Sequence, residues 1–195
     1  MRAAVLMDLE ENPAPRGWRI DALVLFLAAA IVSGGSVVGA SMLFGAATRI
    51  RGSSAFIAVA VIVGMLAAVR PPSRTRTIVA ALAVVGAMVS AAAGASAQRH
   101  ALTLFGDVDC ALVELGVSVL PAMLALATLR RFSFSPAGSM LAGLAVGLVG
   151  VLTLDLTCPV GTAGHVVVFH LAPCVLIAAA LVVARFRSRT HSFAP

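Results

Sequence analysis

Six long apolar runs, separated by short polar stretches, dominate this chain of 195 residues. A helix needs about 20 apolar residues to cross the roughly 30 Å of hydrocarbon in a bilayer, and the runs have about that length. We therefore predict an all-α integral membrane protein built as a bundle of six transmembrane helices. The predicted spans are residues 20–44, 54–69, 77–97, 108–129, 136–157 and 162–184.

Two of the runs allow more than one interpretation. The second, 54–69, is short, so it is either a thin span or a re-entrant hairpin with the third. The first is too long for the core of a signal peptide and no small-residue cleavage site follows it, which favours a retained span. The chain then divides into an amino-terminal segment at 1–17, a six-span membrane domain at 18–186 and a tail at 187–195.

The composition agrees with this pattern. Hydrophobic residues make up 61% of the chain and charged residues 11%, with a mean hydropathy of +1.05. These values exceed what a soluble domain of this size needs to fill its core. Because nearly all of the chain is used in spans, we expect no soluble catalytic domain and no enzyme activity.

All 14 basic residues are arginines, and they lie at the ends of the apolar runs. They are not interleaved with aromatic residues on one face, so they do not indicate direct nucleic-acid binding. If the chain starts on the cytoplasmic side, eleven arginines fall inside and only Arg49, Arg51 and Arg99 fall outside. The positive-inside rule therefore predicts that both termini are cytoplasmic.

Thiols and acids interrupt the hydrocarbon at the predicted outer ends of two spans. Cys110 and Glu114 are four residues apart where the fourth span starts, and Asp155 and Cys158 are three apart where the fifth ends. Each pair therefore shares one helical face. We expect the two cysteines to lie close together, with the two acids in supporting positions.

Two histidines follow at the start of the sixth span. His165 and His170 are five residues apart, and on a regular helix that spacing turns the second side chain about 140° from the first. We therefore expect both imidazoles to reach one point only if His165 still lies in the loop. Cys174, deeper in the same span, is interpreted as a small apolar filler.

Three chemistries fit this polar group, and the residues alone leave them open. Cys110 and Cys158 could form a disulfide, since the outer side of a cell membrane is oxidising. The two thiols with His165 and His170 could instead bind a soft or borderline metal such as zinc, copper or cadmium. In the third interpretation, acids and imidazoles simply pair with each other at the membrane interface.

The amino-terminal segment carries a short apolar and acidic stretch. Val5, Leu6 and Leu9 lie beside Glu10 and Glu11, and one or two helical turns fit before the prolines that follow. The stretch is either a frayed tail or a peptide that orders on a partner.

A set of motifs in the second half of the chain, at about 108–185, forms a recognisable order. It comprises Cys110 opening the fourth span, Pro121 midway along it, Arg130 and Arg131 after it, a Gly- and Ala-rich fifth span ending in Cys158-Pro159, and Phe169-His170 in the sixth. This order resembles the NrsF family of polytopic membrane anti-sigma factors.

The resemblance implies a protein of the bacterial inner membrane that holds an extracytoplasmic-function sigma factor through its amino-terminal segment. It implies that Cys110 and Cys158 are the sensor pair, and that a metal or an oxidant at these thiols releases the sigma factor. The chain departs from the family pattern at His170, which with His165 could mean a metal-binding variant of the same plan.

A second function fits the same residues. The chain could be a membrane metal-binding or redox protein that uses its Cys and His side chains at the outer leaflet. No cofactor is certain in either case; the compatible ones are zinc, copper or another soft divalent metal.

Overall fold

The computed structural model describes residues 17–44, 52–69, 73–95, 104–130, 135–158 and 162–190. These residues form six long helices, each long and apolar enough to cross a membrane, and no strand occurs among them. We number them α1, Trp18–Phe44; α2, Gly52–Val69; α3, Arg74–Ala93; α4, Leu104–Leu129; α5, Pro136–Thr157; and α6, made of Ala163–His165, Val166–Leu171 and Ala172–Thr190 in continuous succession. The predicted six-helix membrane fold is confirmed.

Some helix ends depart from the ends of the apolar runs. The third run predicts a helix to residue 97, but α3 ends at Ala93, where the amide of Gly94 bonds the carbonyl of Ser90 and closes the last turn. The sixth run ends at 184, yet α6 continues to Thr190, because arginine favours helix in water as well. The short second run forms one continuous helix of 18 residues.

Helix α5 is the centre of the bundle. It packs against each of the other five helices, and 14 of its 22 residues are buried. Its start is well defined, because the hydroxyl of Ser135 accepts a hydrogen bond from the amide of Gly138 at 3.2 Å and Pro136 occupies the first turn. The other helices therefore take their positions from α5.

Glycines on α5 let the neighbouring backbones approach closely. A Cβ at Gly147 would lie 2.7 Å from the Cα of Cys174 on α6, and one at Gly143 would overlap the backbone of Ala178. Only a residue without a side chain fits at such distances. The small-residue step at 143 and 147 thus packs helices within this chain.

Contacts between helix ends define the two ends of the bundle. Ser53 of α2 contacts Asp155 of α5, and Cys110 of α4 contacts Cys158 just after α5; we call this the cysteine end. At about 1.5 Å per residue the helices are roughly 27 to 40 Å long, so their other termini lie at the opposite end. That end, which we call the arginine end, carries the described arginines Arg19, Arg74, Arg76, Arg130, Arg185 and Arg187.

Large apolar side chains cover the outside of the bundle. Exposed examples include Ile31, Met42, Leu82, Met123 and Leu176. In water such a surface would be costly, whereas in a bilayer it meets lipid tails. The chain therefore has the architecture of a multi-pass membrane protein.

Candidate metal centre

Four side chains from three helices converge at the cysteine end. Cys110 lies in the second turn of α4, Cys158 is the residue after α5, and His165 and His170 belong to α6. One ligand atom from each of these residues lies within 4.8 Å of the other three. The structure thus brings together both thiols and both imidazoles that the sequence singles out.

The contacts form a chain through the group. The two sulfur atoms of Cys110 and Cys158 are 3.5 Å apart. The sulfur of Cys158 is 3.5 Å from Nε2 of His165, which in turn is 3.2 Å from Nε2 of His170. The sulfur and imidazole nitrogen atoms of the four residues therefore surround one small space.

A π-helical turn explains how two histidines five residues apart can meet. Residues Val166–Leu171 form this turn, and the amide of Ala172 bonds the carbonyl of Val167 five residues earlier. The wider turn returns to the same face after five residues, so His170 comes back over His165. The expectation that His165 must lie in the loop is wrong, because it lies in the first helical turn of α6.

Local residues account for the start and the widening of this helix. The hydroxyl of Thr162 accepts a hydrogen bond from the amide of His165 at 3.3 Å and so caps the first turn. Pro173 follows the π turn, and in a regular helix its ring would crowd the carbonyl of Phe169. Insertion of one residue into the turn relieves that crowding. A proline three residues after His170 is the sequence signal that could have revealed the turn.

The group is shielded from solvent on the histidine side. His165 and His170 are each 2% exposed and Cys158 is 7% exposed, while Cys110 is intermediate. The imidazole of His165 packs edge-on against that of His170, with ring centres 5.0 Å apart, and lies 5.3 Å from the ring of Phe169. The imidazoles are therefore held in one orientation before any ligand arrives.

Asp155 is engaged at another helix. Its carboxylate accepts hydrogen bonds from the hydroxyls of Ser53 at 3.1 Å and Ser54 at 2.5 Å, both in the first turn of α2. A carboxylate there also meets the positive end of the α2 dipole. The acid thus ties α2 to α5 beside the four-residue group and is not one of its members.

Glu114 lies inside the bundle, one turn below Cys110. The side chain is fully buried, and it fits because position 150 of α5 is glycine, where a Cβ would overlap the Glu114 side chain. Neither carboxyl oxygen has a hydrogen-bond partner among the described residues. Glu114 thus lies four residues from Cys110 on the same face of α4 and is not a member of the four-residue group.

Cys174 is separate from the group. It is fully buried, and its thiol donates to the carbonyl of Leu144 at 3.6 Å.

The amino-terminal partner-binding candidates Val5, Leu6, Leu9, Glu10 and Glu11 lie outside the residues that the structure describes.

Comparison with known proteins finds a partial relative. A stretch of 111 residues is 36% identical to the carotenogenesis protein CarR of Myxococcus xanthus, and it covers 56% of this chain and 50% of that protein. The chain therefore spans about half the length of this relative. No protein-family model matches the chain, and no solved structure matches it significantly.

Proposed function

We propose that this chain is a membrane anti-sigma factor. It holds an extracytoplasmic-function sigma factor at the cytoplasmic face of a bacterial inner membrane and releases it when the cysteine end reacts with a metal ion or an oxidant. The observation that carries the proposal is the order of motifs in 108–185, which resembles that of polytopic membrane anti-sigma factors. The partial identity with the carotenogenesis protein CarR extends over about half of that protein and does not point to NrsF in particular.

The bundle has a layout suited to carrying a signal. Helices α4, α5 and α6 run from the cysteine end to the arginine end and pack against one another. A change of spacing at the first end therefore moves the second end, provided that the bundle has two discrete packings. A nearly complete switch requires a preference of about 5.5 kcal/mol for one packing, and binding of a metal by thiolates can supply that amount.

The amino-terminal segment is the proposed sigma-binding element. Its apolar residues Val5, Leu6 and Leu9 and its acids Glu10 and Glu11 would order on the partner. The arginine-rich loops hold this side of the protein in the cytoplasm, where sigma factors act. This role assigns no catalytic step to the chain.

Co-purification from the native host tests the proposal. The tagged full chain is solubilised in mild detergent and its partners are identified by mass spectrometry, and we expect a sigma factor in stoichiometric amount. A variant that lacks residues 1–15 should lose the sigma factor, whereas one that lacks 191–195 should keep it. Recovery of the full chain without any sigma factor would overturn the proposal.

A second candidate function is a membrane metal-binding or redox protein, and the buried Cys and His group favours it. This alternative predicts bound metal and no sigma factor in the same purification. It also predicts that transcription from promoters that depend on the host's extracytoplasmic-function sigma factors is unchanged when the chain is deleted. Reporter activity in the deletion strain therefore separates a regulator from a carrier.

A further inference from the structure

We infer that Cys110, Cys158, His165 and His170 form a closed four-ligand site for one zinc-class divalent cation, which links α4, α5 and α6 when it is bound. This inference names the ligand of the site proposed above, and its regulatory meaning rests on the proposed function. The binding itself needs no sigma factor, so the two proposals can fail separately.

The spacing of the donor atoms fits a tetrahedral ion. With zinc–sulfur bonds of about 2.3 Å and zinc–nitrogen bonds of about 2.0 Å, the edges of such a site measure about 3.8 Å between sulfurs and about 3.3 Å between nitrogens. The structure has 3.5 Å between the two sulfurs and 3.2 Å between the two Nε2 atoms. The widest separation in the group, at most 4.8 Å, must shorten by only about 1 Å.

The chemistry of the donors selects the class of metal. Two thiols and two imidazoles are soft to borderline ligands, which suit zinc and its relatives, whereas magnesium and calcium prefer oxygen. Binding releases one proton from each thiol, since the thiolate is the metal ligand. A divalent ion and two thiolates then have zero net charge, which lowers the cost of burial near hydrocarbon.

The number of ligands points to a closed metal site. Four protein side chains complete a tetrahedral shell and leave no position for a substrate or a water molecule. The ligands come from the start of α4, the end of α5 and the first two turns of α6. The ion therefore fixes the relative positions of three helices at the cysteine end, and His170 takes part only because of the π turn.

Metal analysis of the purified full chain tests the inference. The protein in mild detergent is equilibrated with zinc chloride, passed through a desalting column and measured for zinc and protein content. We expect one zinc ion per chain, and a loss of about tenfold or more in zinc affinity for Cys110→Ser and for His170→Ala. Cys174→Ser is the matched control, since it removes a buried thiol outside the group and should leave zinc binding unchanged.

A second measurement needs no variant. In the zinc-loaded wild-type chain, Cys110 and Cys158 should react slowly with a maleimide, and removal of the ion with a chelator should speed their modification, read by mass spectrometry. Zinc content equal in the wild type and in Cys110→Ser, or a chelator-insensitive disulfide between the two cysteines at rest, would overturn the inference. Sigma-factor recovery is measured in separate samples. The zinc measurements can therefore be interpreted even if no sigma factor is recovered.

Discussion

At the scale of single residues, contacts on α5 explain why certain positions tolerate no side chain. Gly147 lies against the backbone of Cys174, and Gly150 leaves the space that Glu114 fills. A buried carboxyl without a hydrogen bond costs free energy, and inside a membrane such groups are usually functional. Glu114 therefore marks a position where burial of an acid costs the bundle free energy, one helical turn from Cys110.

We expect Gly147→Ala to destabilise the protein by about 1–3 kcal/mol, because the added methyl group would force α5 and α6 apart. The measurement is the midpoint of thermal unfolding in detergent. Gly34→Ala is the matched control: no atom lies within 4 Å of a Cβ at Gly34, so the midpoint should stay the same or rise slightly. Equal midpoints for both variants would show that α5 and α6 can separate without cost.

At the scale of secondary structure elements, the π turn in α6 is the feature on which the site depends. A regular helix would point His165 and His170 about 140° apart, whereas in the structure their Nε2 atoms are 3.2 Å apart. Proline disrupts the regular helical turn that precedes it, and Pro173 lies two residues after the end of this π turn. One residue outside the ligand set thus shapes the site.

We predict that Pro173→Ala weakens zinc binding by about tenfold, a loss typical of changes that misorient a ligand without removing it. Alanine restores the missing amide and lets α6 relax toward a regular helix, which turns His170 away. Zinc affinity of the purified chain is the measurement, and Pro121→Ala in α4 should leave it unchanged. If Pro173→Ala binds zinc as tightly as the wild type, the π turn is maintained by packing against α5 instead.

At the scale of the whole molecule, the titratable groups are sorted between two ends. The four-residue group lies at the cysteine end, and the described arginines lie at the other. The positive-inside rule then predicts that the cysteine end faces outward. A regulator with this arrangement would read the outside and act on the cytoplasm.

This orientation predicts which engineered cysteines a membrane-impermeant maleimide can reach. Gly164→Cys introduces an exposed thiol at the cysteine end, and Arg130→Cys introduces one at the arginine end. In intact cells we expect labelling of the first and not the second, while permeabilised cells should label both. The parent chain gives the background from its three native cysteines. Labelling of Arg130→Cys alone in intact cells would reverse the orientation.

The amino-acid sequence determined the number of helices and the end at which the thiols emerge. Runs of about 20 apolar residues leave the backbone no alternative to helix in a bilayer. Because successive spans cross the membrane in opposite directions, the starts of α4 and α6 lie on the same side as the end of α5. That argument needs only the order of polar and apolar residues. It also brought Cys110 and Cys158 to the same end of the bundle.

Only the tertiary structure decided the finer geometry. The approach of His170 to His165 depends on a change of helical pitch, and the burial of Glu114 depends on a glycine on another helix. The pairing of Asp155 with α2 likewise joins residues about 100 positions apart in the chain. Contacts between distant residues depend on how helices rotate and approach, and a one-dimensional pattern of polarity does not contain that rotation.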